Sequence, residues 1–290
     1  MTSRRIDDCL SARDGRLYVE ECDTLDLVRE FGSPLFVFSE DQLRRNVRRF
    51  HAAFQAGWPD GPVVVMPAAK ANWLAAIQRI LASEGSGCDT YSAGELTMAL
   101  NAGCSPHLIS VNGVPKDEDH IRRSIQAGAR LTIDSLEEVD VIERAAAELG
   151  PAGATAYVRL RLKPVLSRFI EHTDFVAEGL APTDIAAIAH KGGLTFEQVM
   201  TVGPRLLKMP NVALVGFHQH HGRHKRSVRY WEAQMAAYAA EIGRVWGRWA
   251  AAARRRASSR RRSTSAAGSP SRATRSTPQP TTASRSSTPR

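Results

Sequence analysis

The chain has 290 residues, of which 43% are hydrophobic, enough for a packed core in one large domain or two small ones. The formal net charge of +9 comes from residues 248–290, which contain 11 arginines and no acid; the rest has 28 basic and 30 acidic residues. No apolar run approaches the roughly 18 residues of a membrane span, and the N-terminus lacks the apolar stretch of a secretion signal. We therefore expect a soluble cytoplasmic protein with no membrane partner.

The first part of the chain predicts a small N-terminal segment, residues 1–33, followed by the start of a larger domain. Residues 17–19 are a strand candidate, and a helical stretch after them ends at Gly32. Residues 35–38 are the next strand candidate, and Ser39 then begins an amphipathic helix with the spacing of a capping box.

The most informative stretch is the apolar run at residues 63–66, which contains three consecutive valines. A run of this kind predicts a strand buried on both faces, as in a parallel sheet covered by helices. Lys70 follows it, and the carboxyl ends of such strands are where ligands bind. The alternative is that Lys70 only marks the point where the strand leaves the core.

From this strand onward, a strand, a polar turn and a capped helix repeat. Strand starts fall near residues 63, 88, 109, 131, 156 and 213, and helix starts near residues 72, 92, 117, 135 and 195. The first four strand intervals, of 25, 21, 22 and 25 residues, match a βα unit. The fifth holds an insertion, residues 163–210, which we interpret as a lid or substrate loop. A helix at residues 230–245 follows the sixth strand, so we predict a parallel α/β domain over residues 34–247.

Polar side chains follow the predicted strands at the ends where ligands bind. They are Lys70, Asp89, Asn112, Asp134, Arg161 and His220. With these residues the sequence resembles the fold-type III pyridoxal-phosphate enzymes, in particular the diaminopimelate/ornithine/arginine decarboxylase group. The matching segments, in the family's order, are residues 69–72, 88–96, 161–164 and 216–222.

The resemblance implies a partial (β/α)8 barrel of the TIM type, similar to alanine racemase, with about six parallel strands. It also implies pyridoxal 5'-phosphate as cofactor, held as an internal aldimine on Lys70, with His220 stacked on the ring. Asp89 and Arg161 match residues placed around the lysine and the phenolic oxygen of the ring. Arg223 stands where the family usually has a serine near the phosphate, and an arginine can also hold a phosphate.

Other interpretations of these residues stay open. His218 and His220 share one face of a strand, but no acidic or cysteine ligand lies near them in the sequence, so we expect no metal. His220 could be an ordinary histidine at a strand end, Arg161 could pair with a structural acid, and Asp89 could cap a helix. The four cysteines have no metal-binding spacing, and we expect reduced thiols.

The sequence after the sixth strand departs from the family. The seventh and eighth strands, the glycine-rich phosphate loop and the C-terminal β-domain have no counterpart, so the barrel should stay open. From residue 250 onward no aliphatic side chain is larger than alanine, and we predict a disordered tail over residues 248–290. We attribute the tail to a shifted reading frame; the less favoured alternative is an arginine-rich arm that binds nucleic acid.

The sequence therefore predicts a pyridoxal-phosphate-dependent amino-acid decarboxylase, a lyase similar to diaminopimelate decarboxylase. We expect this truncated form to be inactive, and the resemblance implies a small amino-acid substrate and a homodimer. A racemase on the same barrel and a non-catalytic cofactor-binding or regulatory protein remain alternatives.

Overall fold

The computed structural model describes residues 3–5, 8–164, 192–220 and 228–266, with side chains described between residues 8 and 252. The chain divides into a compact unit, Met1–Val245, and a second unit, Trp246–Arg290. Within the described ranges, no helix is both long enough and apolar enough to cross a membrane.

The N-terminal segment forms a small antiparallel sheet. Its four strands, paired in chain order, are β1 (Ser3–Arg5), β2 (Leu10–Arg13), β3 (Arg16–Val19) and β4 (Cys22–Asp23). Helix α1 (Thr24–Phe31) begins where the Asp23 side chain accepts a hydrogen bond from Leu25 N and ends at Gly32. The predicted strand at residues 35–38 is wrong: these residues join no described strand, and Phe36 is 87% exposed.

The second sheet carries the βα repeat. Its five parallel strands, in spatial and chain order, are β5 (Cys88–Thr90), β6 (Ile109–Val111), β7 (Arg130–Ile133), β8 (Ala156–Arg161) and β9 (Val212–His218). The helices are α2 (Glu40–Gly57), α3 (Ala75–Ser83), α4 (Ala93–Asn101), α5 (Glu118–Ala127), α6 (Leu136–Leu149), α7 (Phe196–Leu206) and α8 (Val228–Ala266). The first residues of these five strands agree with the last five predicted strand starts to within one residue.

The apolar run before Lys70 differs from its prediction. Residues 63–67 are not a strand, although Val65 O and Pro67 O accept hydrogen bonds from Gly87 N and Asp89 N at 2.9 and 3.0 Å. Pro67 has no N–H and cannot donate to a ladder in return. The run therefore flanks β5 as an irregular sixth segment, and Val64 is 39% exposed rather than buried on both faces.

The parallel sheet has one apolar face and one polar face. Nine residues at most 1% exposed lie on the first face: Cys88, Thr90, Ile109, Val111, Leu131, Ile133, Ala156, Val158 and Leu160. Helices α4 to α7 contact the sheet and supply apolar residues of their own to this core. The alternate positions carry Asp89, Ser110, Arg130, Thr132, Tyr157, Arg159 and Arg161. Because side chains alternate along a strand, these polar residues share the opposite face.

Part of the predicted insertion continues the βα repeat. Residues 165–191 lie outside the described residues, but residues 196–206 form α7 with the predicted capping box at Thr195 and Gln198. After the residues that are not described, the chain lies beside β8, where Leu194 N donates to Arg161 O at 2.8 Å. This hydrogen bond brings Gly192 to the carboxyl end of the strands.

A buried ion pair holds the loops that follow β6 and β7. The Lys116 side chain is fully buried, and its Nζ lies 2.8 Å from Glu138 Oε1 and donates to Gly113 O at 2.8 Å. The other carboxylate oxygen of Glu138 accepts from Asp134 N at 2.8 Å. Gly113 has no room for a side chain, because a Cβ there would lie 1.7 Å from Tyr91 O.

Helix α8 contains the predicted helix at residues 230–245 and continues to Ala266. It overlaps the first part of the tail that we predicted from residue 248, where alanine and arginine, both strong helix formers, predominate. Residues 267–290 lie outside the described residues, and the origin of the tail remains a hypothesis.

Substitution of Lys116 by methionine tests the buried pair. We expect Lys116→Met to lower the free energy of unfolding by about 3–5 kcal/mol, because the Glu138 carboxylate stays buried without its cation. The double variant Lys116→Met, Glu138→Gln should recover a large part of this loss in urea denaturation. Equal destabilisation of the single and double variants would contradict this explanation.

Candidate active site

A cavity of about 700 Å³ opens at the carboxyl ends of the parallel strands. Its lining consists of Lys70, Asp89, Thr90, Tyr91, Asn112, Val114, Asp134, Arg161, Gly192, His218 and His220. Four of the five site residues predicted from the sequence are therefore brought together: Lys70, Asp89, Arg161 and His220. The fifth, Arg223, lies outside the described residues.

Lys70 lies on the rim of this cavity in a single 3-10 turn, Ala69–Ala71. The turn is closed by a hydrogen bond of 3.0 Å from Ala71 N to Ala68 O. Ala69 is fully buried, whereas Lys70 is exposed. The turn thus anchors the backbone beside β5 and leaves the amine of Lys70 accessible to a ligand.

Asp89 extends from β5 into the same cavity. Burial raises the pKa of its carboxyl group, while a hydrogen bond from Ser110 and the positive charges of Arg159 and Lys70 oppose that rise. Asn112 Nδ2 donates to Asp89 Oδ1. Asp89 is not the cap of the following helix, because Ser92 accepts the hydrogen bond from Glu95 N at the start of α4.

Arg161, the last residue of β8, forms an ion pair with Asp134 from the end of β7, and both side chains are 11% exposed. The structure thus contains the pairing with an acid that the sequence left open as an alternative. The Nε of Arg161 is buried and has no hydrogen-bond partner. Asp134 therefore orients the guanidinium of Arg161, which is one of the groups that line the cavity.

The two histidines of the cavity follow from the end of β9. His218 is the last residue of the strand, and His220 lies two positions further on. Among the described residues, no group of three or more histidine, cysteine, aspartate or glutamate side chains could hold a metal ion.

Several lining or supporting residues were not singled out from the sequence. The Tyr91 hydroxyl donates to Val114 O at 2.8 Å and ties the loops after β5 and β6 together. Gly192 borders Asp134 so closely that a Cβ would lie 2.9 Å from its Oδ2.

Arg159 lies one strand period before Arg161 and hydrogen-bonds to Asn112. The alternation of side chains along β8 is the sequence signal that could have found Arg159.

The chemistry of the lining fits pyridoxal phosphate. An accessible primary amine can hold an aldehyde, an unpaired buried N–H of a guanidinium can hold an anionic oxygen, and an imidazole can stack on an aromatic ring. The carboxylates of Asp89 and Asp134 balance the cations of Lys70 and Arg161.

Comparison with known proteins gives the same family. A family model for the pyridoxal-binding domain of pyridoxal-dependent decarboxylases matches residues 40–238. The diaminopimelate decarboxylase of Archaeoglobus fulgidus is 33% identical over 212 residues, which is 73% of this chain and 46% of the relative. That of Methanocaldococcus jannaschii is 33% identical over 205 residues, 68% of this chain and 46% of the relative.

Solved structures agree in fold. The crystal structure of diaminopimelate decarboxylase from M. jannaschii aligns with a TM-score of 0.68 and 31% identity, over 77% of this chain and 50% of that one. Its complex with L-lysine aligns with a TM-score of 0.64 and 32% identity, over 73% and 48%. The likeness confirms the predicted fold class, and the chain spans about half the length of the curated relatives it matches. This chain belongs to the pyridoxal-dependent decarboxylases, and its residues 40–238 match their pyridoxal-binding domain.

Proposed function

We propose that Lys70 binds pyridoxal 5'-phosphate covalently and that the chain serves amino-acid decarboxylation of the diaminopimelate decarboxylase kind. The observation that carries this proposal is the arrangement at the rim of the cavity. Lys70, whose side chain is exposed, lines one cavity together with Arg161 and His220. If Lys70 were only a core residue, or Arg161 only part of a structural ion pair, the three side chains would not need to line the same cavity.

Each residue has a proposed role. Lys70 Nζ holds the cofactor at its aldehyde carbon, the guanidinium of Arg161 donates to the phenolic oxygen, and His220 stacks on the ring. Asp89 faces Lys70, and Arg223 is the candidate for holding the phosphate. Bound pyridoxal phosphate supplies an electron sink for negative charge at the substrate α-carbon. Asp134 keeps the Arg161 guanidinium oriented through their ion pair.

We propose a small amino acid related to diaminopimelate or lysine as substrate, supported by the L-lysine complex of the M. jannaschii relative. A homodimer is proposed from the family resemblance. A cytoplasmic location is proposed from the four cysteines, none of which forms a disulfide.

Because the chain spans about half the length of its relatives, we propose that catalysis needs the residues that only the relatives contain, and that this chain binds the cofactor without turnover.

Cofactor titration tests the role of Lys70. Adding pyridoxal phosphate should produce the visible absorption band of a lysine adduct, and borohydride reduction followed by peptide mass spectrometry should place the label on Lys70. Lys70→Ala should lose the band and the label. Lys208→Ala, at an exposed lysine of the same charge, should retain both. A band that persists in Lys70→Ala would overturn the assignment.

A chimera tests the reaction. Residues 1–245 joined to the C-terminal half of the M. jannaschii enzyme should release labelled carbon dioxide from carboxyl-labelled diaminopimelate, because the chimera adds the half of the relative that this chain does not match. The control is the same chimera with Lys70→Ala, which should release none. Retention of the cofactor band with racemisation of the amino acid, and no carbon dioxide, would replace the decarboxylase with a racemase.

A further inference from the structure

Arg159 lies on the polar face of the parallel sheet, one strand period before Arg161 and below the candidate site. Its Nη2 donates to Asn112 Oδ1 at 3.0 Å, to Thr132 Oγ1 at 2.9 Å and to Ser110 Oγ. Burial lowers the pKa of Arg159, and the negative charge of Asp89 opposes that shift. The charge is therefore held away from water by a cluster of neutral oxygen atoms, with Asp89 as the nearby acid.

This cluster determines the orientation of the Asn112 amide. Asn112 Oδ1 accepts from Arg159 Nη2 at 3.0 Å and from Thr132 Oγ1 at 2.6 Å. Rotating the amide by half a turn would place its N–H groups against the guanidinium and its oxygen against the Asp89 carboxylate. The donors on Oδ1 therefore keep Nδ2 directed at Asp89 Oδ1, to which it donates.

Packing alone does not explain an arginine at this position. Branched apolar side chains usually fill the interior of a (β/α)8 barrel, and a buried charge costs more than an apolar side chain of similar volume. The Nε of Arg159 is buried and has no hydrogen-bond partner, so the site does not even satisfy the whole guanidinium. The satisfied nitrogen, Nη2, is the one that contacts Asn112.

We propose that Arg159 is a positioning residue that, through Asn112, keeps Asp89 ionised and directed toward Lys70; this inference rests on the proposed binding of pyridoxal phosphate by Lys70. The neutral Lys70 amine would add to the aldehyde carbon, and the Asp89 carboxylate, which lines the same cavity, would accept the proton that the nitrogen loses as the C–N bond forms. Asp89 would return that proton to the former aldehyde oxygen, which leaves as water with the two protons of the amine as the C=N bond forms.

The pH dependence of adduct formation follows from the groups around Asp89. They are the cations of Lys70 and Arg159, the carboxylate of Glu95 on α4, and the neutral donors Ser110 and Asn112. Arg159 lowers the pKa of Asp89 through its charge, and Glu95 raises it. Removing the Arg159 cation should therefore raise the pH below which Asp89 is protonated and adduct formation slows.

The test is the rate of band formation after mixing the full chain with pyridoxal phosphate, measured between pH 5 and pH 9. Arg159→Met should shift the acid limb of the profile upward by about 1 pH unit. Arg159→Lys should restore part of the shift, because it keeps the charge. Arg122→Met, which removes an arginine paired with Glu148 on the surface, should leave the profile unchanged.

The outcomes separate this inference from the proposed function. If the wild-type chain forms no adduct on Lys70, the proposed function fails, and the inference fails with it. If the wild-type chain forms the adduct and Arg159→Met has the same acid limb, only the positioning role is overturned. Should Arg159→Met not fold, as judged by circular dichroism, Thr132→Val removes one donor from Asn112 Oδ1 and should produce a smaller shift in the same direction. An unchanged profile in that variant would also overturn the role.

Discussion

The structure depends on the two-residue alternation of side chains in its parallel sheet. Positions such as Ile109, Leu131 and Val158 are fully buried on the side of the helices. Each residue next to them along its strand then points to the other face, where Arg159 donates hydrogen bonds to Ser110 and Thr132. One residue of slip in register would exchange the two faces, so the apolar core and the polar cavity stabilise the same register.

Ion pairs and hydrogen bonds on that polar face connect the interior of the sheet to the rim of the cavity. Arg159 contacts Asn112, Asn112 contacts Asp89, and Asp89 lines the same cavity as Lys70. Beside this series, Asp134 links two further pairs, because it binds Arg161 through its side chain and Glu138 through its backbone N–H. The candidate site is therefore held by a network whose charges are nearly all compensated, which favours a fixed geometry over a flexible one.

Much of the fold was predictable from local signals, and the exceptions have physical reasons. The capping residues Ser39, Asp117 and Thr195 accept the hydrogen bonds that their sequence spacing predicts, since a cap depends only on neighbours in the chain. The irregular conformation and partial exposure of the valine run at residues 63–66 were not predictable. They depend on which strands lie beside the run and on a proline that cannot complete a ladder. In the site, the expectation that ligands bind at the carboxyl ends of parallel strands identified four residues that line the cavity. It could not reveal Arg159 or the orientation of Asn112, which depend on contacts across three strands.

Lys70, Arg161 and His220 line one cavity at the carboxyl ends of the strands. A crystal structure of the chain grown with pyridoxal phosphate decides whether this cavity is the cofactor site. We expect continuous electron density from Lys70 Nζ to the cofactor, with the ring against His220 and its phenolic oxygen near the guanidinium of Arg161. Density for the cofactor elsewhere, or a Lys70 amine packed away from Arg161 and His220, would contradict it.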